Sequence, residues 1–580
     1  MEPEMDTFAR FEQAIRDALL DTTLIPADLI DLVAPKASGV QADLALPCFR
    51  VAKLRGINPA QFAQTLANAL KFTPESLVLK ASALGAYVNF SLNPVTFAQS
   101  VLHDISQRKA EYGRSTKGQN QAVVVDYSSP NIAKRMRVDH IRSTMIGQAI
   151  VNIYRALGYH VIRMNHWGDY DPQLGISLAA MQHFQHRNGN GESMLASLEQ
   201  QTQQYHADDQ VHDLAQAWAS KLTKGEPQAI KLLQQLVDLS LTANQANYRR
   251  LGVAFDVQHC ESFYAREAQV VIKEALHYQI AQLDGHVAVV KDLLDEQGKA
   301  LPTLLLNRSD GSSLYITRDI AAIKYREELY QPTKIIYVVK QAQELHFRQA
   351  FTISKTLGYT KADLSHVACG MILGPERRSP SGARFSTMIY LEPLLDEACT
   401  RAKALIKQKA LESKIPFSST EINEIAEQVG VGAVIYHNLQ HDPAHDVVVD
   451  WERMLAFDGN SSTYLQYMHA RCCSILRDFG RIPQNYDGRV LTHSAEQALL
   501  KELARLPQVI VDAAERYAPF VVSDWLYATA KAFAVFYDSC SVLKAETLAL
   551  RAARGQLVAA TAQALRNGLG LLSIAAPERM

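Results

Sequence analysis

Residues 129–144 read Ser-Pro-Asn-Ile-Ala-Lys-Arg-Met-Arg-Val-Asp-His-Ile-Arg-Ser-Thr, directly after the apolar run Val123-Val124-Val125. A strand that breaks at Ser-Pro and reopens as a helix offers free N–H groups to an anion such as a phosphate. Arg137 and His140 can serve such an anion, whereas Asp139 opposes it. A like-charge contact at about 4 Å costs on the order of 4 kcal/mol at an effective dielectric of 20. A second constellation is Tyr467 and Arg471, four apart on a predicted helix and hence on one face. A ring beside a guanidinium is the equipment for holding unstacked bases, although Tyr467 and Tyr537 also fit as core aromatics. His259-Cys260 reads as a packed loop, because two potential ligands without partners make no metal site.

The elements that must position these groups follow from periodicity. Phe8, Phe11, Ile15, Ala18 and Leu19 recur at helical spacing, Ala60 to Leu70 gives a second helix, and LVLKAS and AYVNFSL read as strands, so residues 1–115 form a small α+β unit. From Ala122 the pattern turns to strand, helix, strand, a βαβ unit opening a parallel sheet. Residues 180–300 read as a largely helical, polar insertion, after which SLYITRD, KIIYVVK and HVACGMIL resume the sheet. Residues 391–580 read as almost entirely helical, divided into a stem over 391–455 and a domain over 456–580.

Composition bounds the function class. With 580 residues, a formal net charge of -1 and 48% hydrophobic residues, the chain reads as a multidomain globular protein whose polyanion sites must be local patches. Seven scattered cysteines (Cys48, Cys260, Cys369, Cys399, Cys472, Cys473, Cys540) fit neither a zinc site nor a disulfide framework. The start MEPEMDTFARFEQAIRDALL is acidic and helical in period, unlike a signal peptide, and no apolar run approaches the roughly 20 residues of a membrane span. A cytoplasmic protein without membrane contact, and a monomer, is expected.

Five motifs in order, SPNIAK (129–134), LYITRDIAAIKYR (314–326), QELHFRQAF (343–351), STYLQYMHARCCSILR (462–477) and APERM (576–580), make the chain resemble the arginyl-tRNA synthetase family over essentially its whole length. That resemblance implies an N-terminal domain reading the tRNA elbow, a Rossmann-type (HUP-like) α/β catalytic domain over 116–390, and an all-α anticodon-binding domain. It assigns arginine to Asp126, Asn131, Tyr315, Asp319 and Gln343, carboxylates being what a guanidinium fork requires. Asp126 and Asp319 also read as helix caps. It assigns tRNA to Tyr87, Asn89, Tyr467, Arg471, Tyr537 and Met580, with Ser541 departing from the larger side chain expected nearby.

The departures from the family concern ATP. Where it has His-x-Gly-His, this chain has Arg137-Val138-Asp139-His140, and the Gly that lets adenine lie against bare backbone is lost. Gly168-Asp169-Tyr170-Asp171-Pro172-Gln173 stands for Gly-Asp-Trp-Gly-Thr-Gln, again with Asp for Gly. The lysine/serine signature loop reads Glu376 to Thr387, with only Arg377, Arg378 and Arg384 as bases. These departures favour a protein that takes preformed arginyl-tRNA and forms a peptide bond without a cofactor, as in cyclodipeptide synthases that resemble this family. Asp139 and Asp171 are then the candidate bases, Arg137 holds the terminal adenosine or its phosphate, and His140, the one signature residue retained, completes the catalytic set. Two alternatives stand beside it: an arginine–tRNA ligase using ATP and Mg with divergent signatures, and a non-catalytic regulator binding arginine or tRNA(Arg). Tyr127, Ser128 and Ser129 lie near the expected pocket, the serines being equally ordinary turn residues.

Overall fold

The computed structural model describes residues 5–35, 42–169, 174–183, 191–206, 209–223, 226–373, 377–378, 384–385, 390–413, 416–483 and 485–580. The N-terminal unit forms as its periodicity requires. The helix Thr7–Asp21 starts at Asp6, whose side chain accepts from the Ala9 N–H, and buries Phe11, Ile15 and Leu19 along one face. Its sheet holds β1 (Leu44–Pro47), β2 (Val78–Leu84) and β3 (Tyr87–Leu92), antiparallel in the order β1-β3-β2.

The catalytic-type domain is built on five parallel strands: β4 (Ala122–Tyr127), β5 (His160–Trp167), β6 (Val257–Cys260) and, far along the chain, two more. After a small antiparallel sheet of β7 (Gln282–Asp284), β8 (Val287–Val290) and β9 (Leu304–Leu305) come β10 (Lys334–Lys340) and β11 (Asp363–Cys369). The order is β11-β10-β4-β5-β6, so the chain runs outward from β4 to β6 and then restarts on the other side of β4. Val123, Val124, Val125 and Tyr127 are wholly buried, as expected of a central strand covered on both faces. The helix Val138–Ala156 presses on β4 so closely that a Cβ at Gly147 would stand 2.3 Å from the Tyr127 ring.

Three sequence-based expectations are corrected. SLYITRD is not a strand: Tyr315–Tyr330 is a helix, with Ile316, Ile320 and Ile323 buried at helical spacing. The alternation Leu314, Ile316 is compatible with either period over so short a run, and the longer repeat decides. The helical insertion is also shorter than 180–300. It comprises Leu174–His183, Gly191–His206, Asp209–Thr223 and Pro227–Arg250, after which β6 joins the central sheet. His259-Cys260 is therefore part of an edge strand rather than a loop, and its polar residues hid the strand because the edge is only partly buried.

From Leu391 onward the described chain is helical apart from β15 (Val447–Val448), which pairs with β12 (Ile372–Leu373); β13 (Arg377–Arg378) and β14 (Arg384–Phe385) form an antiparallel pair. The fold is thus a Rossmann-type α/β domain flanked by an N-terminal α+β domain and a C-terminal all-α domain. No helix among the described residues is long and apolar enough to cross a membrane.

Candidate active site

The carboxyl ends of the parallel strands face a crevice where strand order reverses between β4 and β10, the place where open parallel sheets take ligands. The loop leaving β4 is strained: Ser128, Ser129 and Ala133 have φ of 78°, 46° and 63°, conformations that cost non-glycine residues of order 1 kcal/mol or more each. Hydrogen bonds hold it. The Ser129 N–H donates to Asn165 Oδ1 at 3.0 Å and the Ala133 N–H to Ser240 Oγ at 2.9 Å, while Ser128 Oγ lies 2.8 Å from both Thr144 Oγ1 and Tyr248 Oη. Ser128 is engaged as a turn residue on both sides. Asn131 is exposed at the rim, its Oδ1 only 2.2 Å from where a Cβ on Gly168 would lie.

Below the loop lies a cluster of acids. Asp126, 3% exposed, bonds Arg326 Nη2 at 2.7 Å, and Arg326 is wholly buried on the same helix face as Asp319, seven residues before it. His166 Nδ1 stands 3.9 Å from Asp126 and 3.8 Å from Asp319. Asp319 Oδ2 meets His346 Nε2 at 2.6 Å, and the Tyr315 ring stacks on His346 at 4.8 Å and 19°. Burial works against ionising Asp319, but the His346 hydrogen bond and the neighbouring His346, His166 and Arg326 outweigh it and hold the carboxyl below the usual range. Glu261, just past β6, pairs with Arg318 at 2.9 Å, yet burial still raises its carboxyl above the usual range. Tyr315 is 57% exposed at the mouth, and Gln343 is exposed just beyond β10.

The arrangement revises one assignment. Asp126, read as an arginine ligand, has its carboxylate occupied by Arg326 and acts as an internal counter-ion. Glu261 is likewise paired with Arg318 and Asp319 with His346, while the Tyr315 ring covers His346 at the mouth. Sequence reasoning missed His166, Glu261, Arg326 and His346. The signal for Arg326 was present as the seven-residue spacing from Asp319 within one helix, whereas His166 and Glu261 become neighbours only through strand order.

At the helix start, Asp139 is no lone anion. Arg137 Nε and Nη2 each reach it at 3.3 Å, and Lys340, the last residue of β10, reaches Oδ2 at 2.7 Å. Partial burial opposes its ionisation, but the Arg137 hydrogen bonds, His140 and Lys340 prevail and hold the carboxyl well below the usual range. So firm an anion makes a weak base, which weighs against that role for Asp139. The Arg137 backbone N–H donates to His140 Nδ1 at 3.1 Å, so neutral His140 carries its proton on Nε2. Burial keeps it neutral by lowering its pKa. Asp169 is buried and accepts from the Ser262 N–H at 2.9 Å; Asp171 lies outside the described residues. Arg377, Arg378 and Arg384 lie on the β13–β14 pair.

On the helical domain, Arg471 stacks 4.0 Å from the Tyr537 ring centroid and 6.0 Å from that of Tyr467. Tyr467, Arg471 and Met580 line one cavity with Phe417, Phe457 and Arg579. Tyr87 packs edge-to-face on the half-exposed Phe49 at 5.5 Å. Asn89, two residues on and so on the same face of β3 as Tyr87, is 4% exposed and opposed by Ala45 and Ser82 in the flanking strands. All seven cysteines are free.

A parallel sheet with a strained β4 loop, a ligand crevice at its switch point and an aromatic–guanidinium helical domain is the plan of a class I tRNA synthetase. Residues 101–451 match the family described as tRNA synthetases class I (R), catalytic domain; 465–580 match the DALR anticodon binding domain, and 9–92 the arginyl tRNA synthetase N-terminal domain. The chain is 48% identical to the arginine–tRNA ligase of Chloroflexus aggregans over 98% of its own length and 99% of the relative's. It is 36% identical to that of Clostridioides difficile over 93% and 94%. In fold it resembles the arginyl-tRNA synthetase of Thermus thermophilus, with a TM-score of 0.77 at 22% identity over 98% and 100% of the two chains. The chain belongs to the arginyl-tRNA synthetase family.

Proposed function

We propose that the protein is an arginine–tRNA ligase: the arginine carboxylate attacks the α-phosphorus of ATP and expels pyrophosphate, and a terminal ribose hydroxyl of tRNA(Arg) then displaces AMP. The observation that carries this reading is the neutralisation of Asp139 by Arg137 and Lys340. Two fixed cations against one acid leave the helix start with an excess positive charge, compatible with polyphosphate, so the objection raised by Asp139 alone falls away. Magnesium would arrive with ATP, held chiefly through the phosphates. In the arginine pocket, Asp319, Glu261 and Tyr315 would receive the side chain of the amino acid. Arg471, Tyr467, Tyr537 and Met580 would meet anticodon bases, and Tyr87 the tRNA elbow. The relatives' similarity over the full chain supports the same activity.

The test is arginine-dependent ATP–pyrophosphate exchange, run with and without tRNA(Arg), followed by charging of the tRNA. Exchange and charging are expected. Absence of both, with consumption of preformed arginyl-tRNA to a dipeptide or diketopiperazine, would replace the ligase by the peptide-forming transferase. Stable binding of arginine or tRNA with no turnover would identify a regulator.

A further inference from the structure

The ion pair between Asp139 and Lys340 joins residues 201 positions apart across the switch point of the sheet. Asp139 belongs to the first turn of the helix Val138–Ala156, and Lys340 ends β10, the strand paired with β4 on the side opposite β5. Only 20% of the Asp139 side chain is exposed, against 50% for Lys340. The acid is therefore largely covered, while half of the lysine side chain remains exposed. Arg137, 38% exposed, approaches the same carboxylate from the other side.

Charge and geometry together assign a role to this pair. A helix start attracts phosphate through free N–H groups, and an acid placed there would repel it unless it recruited more positive charge than it brings. Asp139 does so, engaging Arg137 and Lys340 at once. A lysine on a flexible four-carbon stem, otherwise free to point to solvent, is thereby tethered over the helix start.

We infer that Lys340 is a phosphate-binding residue for ATP in this protein, and that Asp139 is a positioning residue that holds the Lys340 ammonium at the helix start. The inference rests on the ligase reading above. It couples the Asp at position 139 to a cation from the end of β10 that meets the phosphates. Bound ATP shares the ammonium with Asp139, so the lysine need not lose one partner to gain the other.

Arginine-dependent ATP–pyrophosphate exchange in the presence of tRNA(Arg) tests it, using the full chain and Lys340→Met, Lys340→Arg, Asp139→Asn and the double Asp139→Asn/Lys340→Met variants. Melting temperature monitors folding. Loss of one charge-assisted phosphate contact should raise the KM for ATP by about 10- to 100-fold in Lys340→Met. The KM for arginine should stay within about twofold, and Lys340→Arg should recover most of the loss. Asp139→Asn should raise the KM for ATP by a smaller factor, and the double variant should be no worse than Lys340→Met, because a tether has no function without the group it holds.

An unchanged KM for ATP in Lys340→Met overturns the inference, as do equal rises for ATP and arginine or additive effects in the double variant. A lower melting temperature with unchanged KM identifies a structural pin and overturns it as well. A wild-type protein with no exchange overturns the ligase reading and this inference together. Wild-type exchange that Lys340→Met leaves intact overturns this inference alone.

Discussion

Asp319 and Asp139 are acids of one crevice with nearly equal side-chain exposure, 18% and 20%, and both carboxyls are held below the usual range. Their partners differ in kind. Asp319 leans on His346 through one hydrogen bond and on His166 at 3.8 Å, with Arg326 nearby, so under the proposed function a substrate guanidinium would replace one hydrogen bond. Asp139 leans on Arg137 and Lys340, cations that stay charged, and is satisfied before any ligand arrives. Burial does not distinguish the two acids. What does is whether the partner can be exchanged, and under the proposed function that separates an acid placed to receive arginine from one placed to organise positive charge for a phosphate.

The largest expected effect tests the acid that lies below both. Arg326→Met would leave Asp126 buried without its counter-ion and should cost about 3–5 kcal/mol of stability in denaturant unfolding. A loss below about 1 kcal/mol would mean that Asp126 has other support, and would return it to the pool of arginine ligands. Next, Asp319→Asn removes a charged partner of the guanidinium and should lower kcat/KM for arginine by about 30-fold or more, with the KM for ATP unchanged. If ATP suffers equally, the two acids are not separate in function.

Away from the crevice, Arg471→Ala should weaken tRNA(Arg) binding by about 5- to 150-fold, the range expected for one stacking platform. Arginine-dependent exchange measured at saturating tRNA should be unaffected; a loss there would mean that the helical domain and the crevice are coupled. The smallest effect concerns His140. Burial lowers its folded pKa, so the unfolded chain binds the proton first as pH falls. Its contribution to stability is complete above the unfolded value of about 6.5 and is lost as pH drops through the lower folded value. Between pH 7.5 and 5.5 the wild type should lose more stability than His140→Asn. Parallel pH profiles of melting would refute the burial of a neutral ring. Asp319 has the same sign at lower pH: its contribution is complete above about pH 4 and is lost on stronger acidification.

Much of this was legible from spacing. The βαβ opening, the helical C-terminal part and the pairing of Tyr467 with Arg471 are all local patterns, and the structure contains each. SLYITRD was misread because seven residues carry both periods, and β6 was missed because a partly buried edge strand needs little apolar sequence. At the candidate site, Asp319, Tyr315 and the helix start lie in motifs that the sequence singles out, and the structure brings them to the same end of the sheet. The expectation that Asp139 repels a phosphate treated the charge without its surroundings, which the structure supplies as Arg137 and Lys340.

The sequence by itself determined the family, the order of the elements and which residue types stand at the strand ends, since these depend on motifs and on patterns spanning a few helical turns. Only the tertiary structure decided what each charge does. Strand order sets β10 beside β4, and so brings Lys340 to Asp139 and places His166 between Asp126 and Asp319. The energy of a charge depends on what lies within a few ångströms of it. In this crevice those neighbours come from β5, β6 and β10 as well as β4, and no local pattern records which of them meet.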